Sequence, residues 1–301
     1  MRTIALLGPT ASGKSAVALA VAERNPSLEL VSIDAMQVYR RLDIGTAKPS
    51  ADEQARVRHH LIDIVDPSEE FTVARFQREY RAARTDIASR GRDAILVGGT
   101  GLYARAAIDE LEIPGQWPDV RARLEREVEE VGAPTLHQRL VNLDPVAATK
   151  MEPTNARRVV RALEVIEGSG RAFSSFGPGV DTYPDSDVVQ IALRWPRDVL
   201  SRRIEERVDA MLAAGWLDEV EALESVPKSR TAAAALGYEE LRRHLSGEWS
   251  LERAREEIVI RTRQFAVRQE RWFRRDPRVE WIEIQADPVG ECVALVESRL
   301  T

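Results

Sequence analysis

Gly8-Pro9-Thr10-Ala11-Ser12-Gly13-Lys14-Ser15 fits G-x-x-x-x-G-K-[ST] at every position, and no other feature constrains this chain as strongly. The pattern follows an apolar run, Thr3 to Leu7, and opens an Ala/Val/Leu-rich stretch. A strand before it and a helix after it are the setting in which it has physical meaning. Glycines let the backbone wrap closely, so that several N–H groups point at one phosphate. The helix N-terminus adds the positive end of its dipole. Lys14 supplies a mobile point charge, and the Ser15 hydroxyl is placed to ligate Mg²⁺. Residues 8–15 are therefore expected to bind a diphosphate or triphosphate.

The surrounding pattern predicts an α/β fold. Thr3 to Leu7, Leu28 to Ile33 and Ala94 to Val97 read as buried strands. Helices are expected from Lys14 onward and from about Thr72 to Ser89. Such alternation implies a parallel sheet with helices on both faces. After Leu102 the pattern turns helical, with Arg121 to Val131, Leu136 to Leu143 and Asn155 to Glu167 as three short helices. Gly177 to Asp187 reads as loop, and Val188 to Leu193 resumes the sheet. Residues 111–186 are thus expected as an inserted helical subdomain within a core of 1–110 and 187–301. Long helices are expected from Arg197 to Leu223 and Leu251 to Arg274, and Val279 to Ile284 as a last strand or an edge hairpin.

Composition excludes several classes. The chain has one cysteine, Cys292, so neither an intrachain disulfide nor a cysteine zinc cluster is available. Near the start the longest apolar run is Ala16 to Ala22, seven residues, so no membrane span is expected. The N-terminal apolar run is too short for a secretory signal, and a cytoplasmic protein is expected. Net charge is −6, which by itself gives no sign of nucleic acid. Of 43 basic residues only Lys14, Lys48, Lys150 and Lys228 are lysines, so a lysine at a particular place is informative.

The strand Ala94 to Val97 runs into Gly98-Gly99-Thr100-Gly101 with no carboxylate, which disfavours a motor ATPase and suggests a second ligand-binding edge. The first carboxylate after a strand is Asp34. In an open α/β sheet the carboxyl ends of the strands face the ligand crevice, so Asp34 is placed to act as general base on an acceptor. An aspartate there equally serves as a turn cap. Lys48, in the polar segment Asp43 to Pro49, is suggestive only. These residues describe a P-loop transferase, and a small-molecule kinase using ATP satisfies them equally.

A wider set of motifs narrows this. GPTASGKS at 8–15, IDAMQVYRRLDIGTAKP at 33–49 and VGGTGLY at 97–103 resemble bacterial tRNA dimethylallyltransferases, also called tRNA isopentenyltransferases. The similarity continues as PDVRARLE at 118–125, LDPVAA at 143–148, RALEV at 161–165, RIEERVDAML at 203–212, LGYEEL at 236–241 and TRQFAVRQERWFRR at 262–275. The resemblance implies transfer of a dimethylallyl group from dimethylallyl diphosphate to N6 of the adenosine 3′ of the anticodon. It implies that the P-loop holds the leaving diphosphate, that Asp34 takes the amine proton, and that Thr10 lies near the reacting centre. Lys14, Arg207 and Mg²⁺ on Ser15 would neutralise the diphosphate. Asp34, Ala35, Met36, Gln37, Thr100, Arg121, Arg157, Arg158 and Arg161 match positions that touch the tRNA anticodon stem-loop, with the helical insertion gripping it. Most members carry Ser where this chain has Ala35, so one hydroxyl contact is absent. A monomer is expected.

Arg261 to Arg275 contains six arginines and one glutamate. Arg261, Gln264, Arg268, Arg271 and Arg275 share one helical face, suited to phosphate oxygens. The alternative is a solvated face paired with Glu256, Glu257 and Glu270. Phe265 and Trp272 are expected to anchor that helix in the core. Arg203 and Arg207 lie one turn apart; the family pattern selects Arg207, and Arg203 is expected as a surface residue. Beside the transferase stand a small-molecule kinase, a prenyltransferase acting on free adenine nucleotides, and a nucleotide-dependent RNA-binding switch.

Overall fold

The computed structural model describes residues 2–177, 179–180 and 182–300. It falls into two compact units, Met1–Asp109 with Tyr183–Thr301, and Glu110–Thr182. The first is built on six parallel strands: β1 (Thr3–Leu7), β2 (Leu28–Ser32), β3 (His59–His60), β4 (Asp93–Gly98), β5 (Val189–Arg194) and β6 (Val279–Glu283). Their order is β3-β2-β4-β1-β5-β6. Around them lie helices α1 (Lys14–Arg24), α2 (Ala51–Arg56), α3 (Val73–Ser89) and α4 (Gly101–Ile108). The second unit holds α5 (Pro118–Val131), α6 (Ala133–Leu143), α7 (Pro145–Ala148) and α8 (Ala156–Ser169). The chain then returns to the first unit with α9 (Arg197–Ala213), α10 (Trp216–Ala222), α11 (Tyr238–Leu245), α12 (Leu251–Phe273) and α13 (Pro288–Ser298).

The strands are nearly continuous apolar runs because both faces of the sheet are covered. Ile4, Ala5, Leu6 and Leu7 are all buried, as are Ala94, Ile95 and Leu96. A strand with one face in water would alternate instead. On α3, Phe76, Tyr80, Ala83 and Ile87 recur at helical spacing and are buried, while Thr72 caps the helix by accepting from Arg75 N. Register between β1 and β4 ends at Leu7 opposite Gly98, so the P-loop and the Gly98–Gly101 turn leave the sheet side by side.

One expectation is corrected, one open alternative is decided and one strand is added. The stretch 197–223 is two helices, broken at Gly215, whose φ of 95° lies in the left-handed region. Val279–Glu283 is a parallel edge strand beside β5, which removes the hairpin alternative. Strand β3, two residues long, went unforeseen. It borders β2, where the buried Glu29 accepts from Arg90 Nη2 and pairs with His60 Nε2, both at 2.6 Å. Pro178 and Asp181, inside the expected loop 177–187, lie outside the described residues.

The second unit has its own core. Leu124, Leu136, Leu140, Val159, Val160 and Leu163 are buried together. Its helices are punctuated by Gly132 (φ 81°) and by Asp144, which caps α7 through Ala147 N at 3.0 Å and accepts from Ser174 N at 2.8 Å.

Candidate active site

The carboxyl ends of β1, β2 and β4 open onto a cavity of about 1030 Å³. Its wall includes Thr10, Ala11 and Gly13 to Ser15 of the P-loop, Asp34 to Gln37, the Gly98–Gly101 turn, Arg203 and Arg207 of α9, and Phe265, Arg268, Gln269 and Trp272 of α12. The phosphate loop is held from three sides. Trp195 Nε1 donates to Ser12 O at 3.0 Å, and Arg203 Nε donates to Ala11 O at 2.9 Å. Gln269 Oε1 accepts from Thr10 N at 2.8 Å. Gly8, at φ 138°, is required twice over, since a Cβ there would sit 2.9 Å from Leu193 O.

Electrostatically the loop is a trap for anions. Lys14 is held near 8 instead of its ordinary 10.5, first because burial disfavours its charge and then because Arg207 repels it; Asp34 partly offsets both. Arg207 is pushed down by burial, supported by Asp34 and repelled by Arg203. An anion between them would relieve both the burial cost and the mutual repulsion. Arg203 is no surface residue. Its guanidinium lies 4.5 Å from the Trp195 ring centroid, so both α9 arginines flank the cavity.

Asp34 combines the two roles its position allowed. Oδ1 accepts from Met36 N at 2.8 Å and Gln37 N at 3.4 Å, capping the turn. Oδ2 has no hydrogen-bond partner among the described residues. Ala35 meets its neighbour through the backbone, donating from N to Thr100 Oγ1 at 3.2 Å. The Gln37 amide is spent on structure: Nε2 donates to Thr46 O and Ala47 O, and Oε1 accepts from Ser32 Oγ. Lys48 is likewise structural. Its side chain is 4% exposed, paired with Asp43 and Asp63 and donating to Tyr39 O.

The model of the IPP transferase family matches residues 37–276, well over half of the chain. The chain belongs to the IPP transferase family. It is 50% identical over 301 residues to a tRNA dimethylallyltransferase of Thermobifida fusca (strain YX), covering 97% of this chain and 93% of that one. The solved tRNA isopentenylpyrophosphate transferase of Bacillus halodurans matches with a TM-score of 0.71 at 38% identity, over 99% and 96% of the two chains. A eukaryotic dimethylallyltransferase acting on tRNA matches with a TM-score of 0.80 at 26% identity, over 99% of this chain and 78% of that one.

In this IPP transferase the arginine candidates divide. On α12, Arg261 is tied to Glu240 at 2.6 Å and Glu257 at 3.1 Å, so the paired-surface alternative holds there. Arg274 pairs with Glu270. Arg268 and Arg271 have no carboxylate partner among the described residues, and Arg268 lies 5.9 Å from the Phe265 ring centroid. Gln264 is exposed. Phe265 is corrected as a core anchor: it lines the cavity, and Ala266, Gln269 and Phe273 are the buried residues of that turn. Trp272 also lines the cavity, in contact range of Gly101, where a Cβ would meet its ring at 2.1 Å.

Within the second unit, Arg121 and Arg161 converge on the buried Glu164, at 3.5 Å and 3.0 Å, and Glu164 also accepts from Trp117 N at 2.9 Å. Arg161 further donates to Pro114 O. Both arginines therefore build that unit. Arg157 and Arg158 are exposed, with no ion pair among the described residues.

No helix is long and apolar enough to cross a membrane among the described residues.

The depressed Lys14 predicts a pH dependence of stability. The unfolded chain holds this proton up to its ordinary 10.5 while the folded chain loses it near 8, so between those values the unfolded state binds more protons. Stability from this group then rises with pH. Denaturant unfolding of the wild type and Lys14→Met at pH 7 and pH 10 should show the wild type gaining on the variant by on the order of 2–3 kcal/mol. A pH-independent difference would mean the ammonium is not desolvated.

Proposed function

We propose that this protein transfers a dimethylallyl group from dimethylallyl diphosphate to N6 of the adenosine 3′ of the anticodon in tRNA, releasing diphosphate. The observation that carries the reading is the single cavity in which the cationic P-loop faces Asp34, whose Oδ2 is unengaged. The family membership selects the chemistry. Kinase activity is not favoured, because the named relatives are prenyl-transferring enzymes.

An adenine amine is a weak nucleophile, its lone pair being delocalised into the ring. The allylic carbon compensates by carrying cationic character as the diphosphate leaves. N6 forms a bond to that carbon, the carbon–oxygen bond to diphosphate breaks, and the amine proton passes to Asp34. Lys14 and Arg207 receive the developing charge on the diphosphate, and preorganised charges of this kind lower the barrier without reorganising. Thr10 lies at the entry to the loop, where donor and acceptor meet.

The Ser15 hydroxyl is exposed on the first turn of α1 and has no protein partner among the described residues, which suits it to Mg²⁺. No cluster of three His, Cys, Asp or Glu side chains able to hold a metal exists among the described residues, so a Mg²⁺ here would take its other oxygens from diphosphate and water. When bound it supplies charge neutralisation to the leaving group.

The acceptor nitrogen has to leave its stack to reach the cavity, which an anticodon loop permits more readily than a duplex. Arg268 and Arg271 on the core, and Arg157 and Arg158 on the inserted unit, are the free arginines we assign to RNA phosphates. Asp34, Ala35, Met36 and Thr100 line the cavity and are assigned to the flipped nucleotide, Ala35 through its backbone alone.

Asp34→Asn should lower turnover by about 100-fold or more while tRNA affinity stays within a few fold. An active variant would remove Asp34 as the base. Replacing Arg268 and Arg271 together by Gln should weaken tRNA binding across sequences and reduce the slope of log K against log salt by about 2. Unchanged binding would return α12 to a solvated face.

A further inference from the structure

Sheet pairing between β1 and β4 stops at Leu7 opposite Gly98. Beyond it the backbones cannot continue the ladder. Gly8 turns away at φ 138°, and Pro9 has no N–H to donate. The next connection is made by a side chain from another part of the fold. Gln269 of α12 accepts from Thr10 N through Oε1 at 2.8 Å and donates to Gly99 O through Nε2 at 3.0 Å. Its planar amide thus substitutes for one rung of backbone pairing. Gly99 leaves the space this needs: a Cβ there would lie 2.1 Å from Gln269 Nε2 and 3.0 Å from Gly8 O.

The bridge continues to the next strand end. Ile33 N donates to Val97 O at 2.9 Å, and one step later Thr100 Oγ1 accepts from Ala35 N at 3.2 Å. Thr10, Gly99, Thr100 and the Asp34–Ala35 turn are therefore linked across β1, β4 and β2 by two side chains. Gln269 is 6% exposed, and both ends of its amide are occupied. Its neighbours in sequence, Arg268 and Glu270, are charged and solvent-directed or paired, so packing alone calls for an apolar residue here.

We infer that Gln269 is a positioning residue, whose amide fixes Thr10 of the phosphate loop at a set distance from Asp34. The inference rests on the transferase reading for its catalytic consequence and on geometry alone for the bridge. A buried glutamine that served only to fill space would be replaceable by methionine, which has nearly the same shape. A bridge would not. Without it the donor's reactive carbon and the acceptor amine shift relative to one another while each is still bound, and small misplacements of that kind are costly in rate. The expected signature is loss of kcat with little change in binding.

Three measurements on Gln269→Met test this. Amide hydrogen exchange in the segments containing Thr10 and Gly99–Thr100 should accelerate by about tenfold or more. Binding of inorganic diphosphate should stay within about threefold, because Lys14, Arg203 and Arg207 are untouched. Turnover on tRNA should fall by about 10- to 100-fold with the KM for tRNA within about threefold. Unchanged exchange at Thr10 overturns the bridge. A loss of diphosphate affinity as large as the loss of turnover overturns the positioning role, since Gln269 would then act in binding. If wild-type protein forms no product, the transferase reading fails, and exchange and diphosphate binding still decide the bridge.

Gln269→Glu provides an independent test should the methionine variant misfold. Its carboxylate accepts from Thr10 N but opposes Gly99 O, whereas its protonated form restores the donor. The ratio of wild-type to variant kcat should narrow as pH falls. A ratio that stays constant with pH contradicts the bridge.

Discussion

Everything in the core is arranged around cations that the fold has partly stripped of water. Lys14 and Arg207 are both disfavoured as charges by their own burial; Arg207 adds to the difficulty of Lys14, and Arg203 to that of Arg207. Asp34 offsets this incompletely. The site is therefore electrostatically unfinished until an anion enters, and a diphosphate produced by bond cleavage carries more charge there than its ester did. The parallel sheet makes this possible, because three strand ends deliver the phosphate loop, the aspartate turn and the Gly98–Gly101 turn to one crevice.

Helix α12 does two jobs from adjacent positions. Gln269 faces inward to the loops, while Arg268 and Arg271 remain unpaired with carboxylates and available to RNA phosphates. A rigid helix that carries both sets ties the geometry of the reacting loops to the surface we assign to the substrate. The inserted unit follows a different logic. Its buried Glu164 consumes Arg121 and Arg161, whereas Arg157 and Arg158 have no ion pair among the described residues.

Features encoded locally were legible in the sequence. The P-loop is a contiguous pattern with its own strand and helix, and Asp34 is recognisable because it ends a buried strand. The central strands were legible because they are buried on both faces and read as apolar runs. What depends on distant partners was not. Gln269 bonds to residues 259 and 170 positions away, and nothing near it distinguishes its amide from that of the exposed Gln264. Arg203 looked like a surface residue because its contacts, Ala11 O and the Trp195 ring, come from other loops. Lys48 was only suggestive within its polar segment, and its buried side chain proves to be paired with Asp43 and Asp63. Charge periodicity on α12 likewise overstated the free surface, since the partner of Arg261 that removes it, Glu240, lies on α11. Phe265 was assigned to the core because it lies seven residues from Trp272, off the arginine face, and the cavity uses it instead.

The most direct measurement is the mass of the nucleosides recovered from unmodified tRNA, with adenosine 3′ of the anticodon, after incubation with the protein, Mg²⁺ and dimethylallyl diphosphate. The account predicts one adenosine per tRNA heavier by a dimethylallyl group, at that position, with diphosphate released in equal amount. An unchanged adenosine, with ADP formed when ATP and small acceptors are supplied instead, would contradict it.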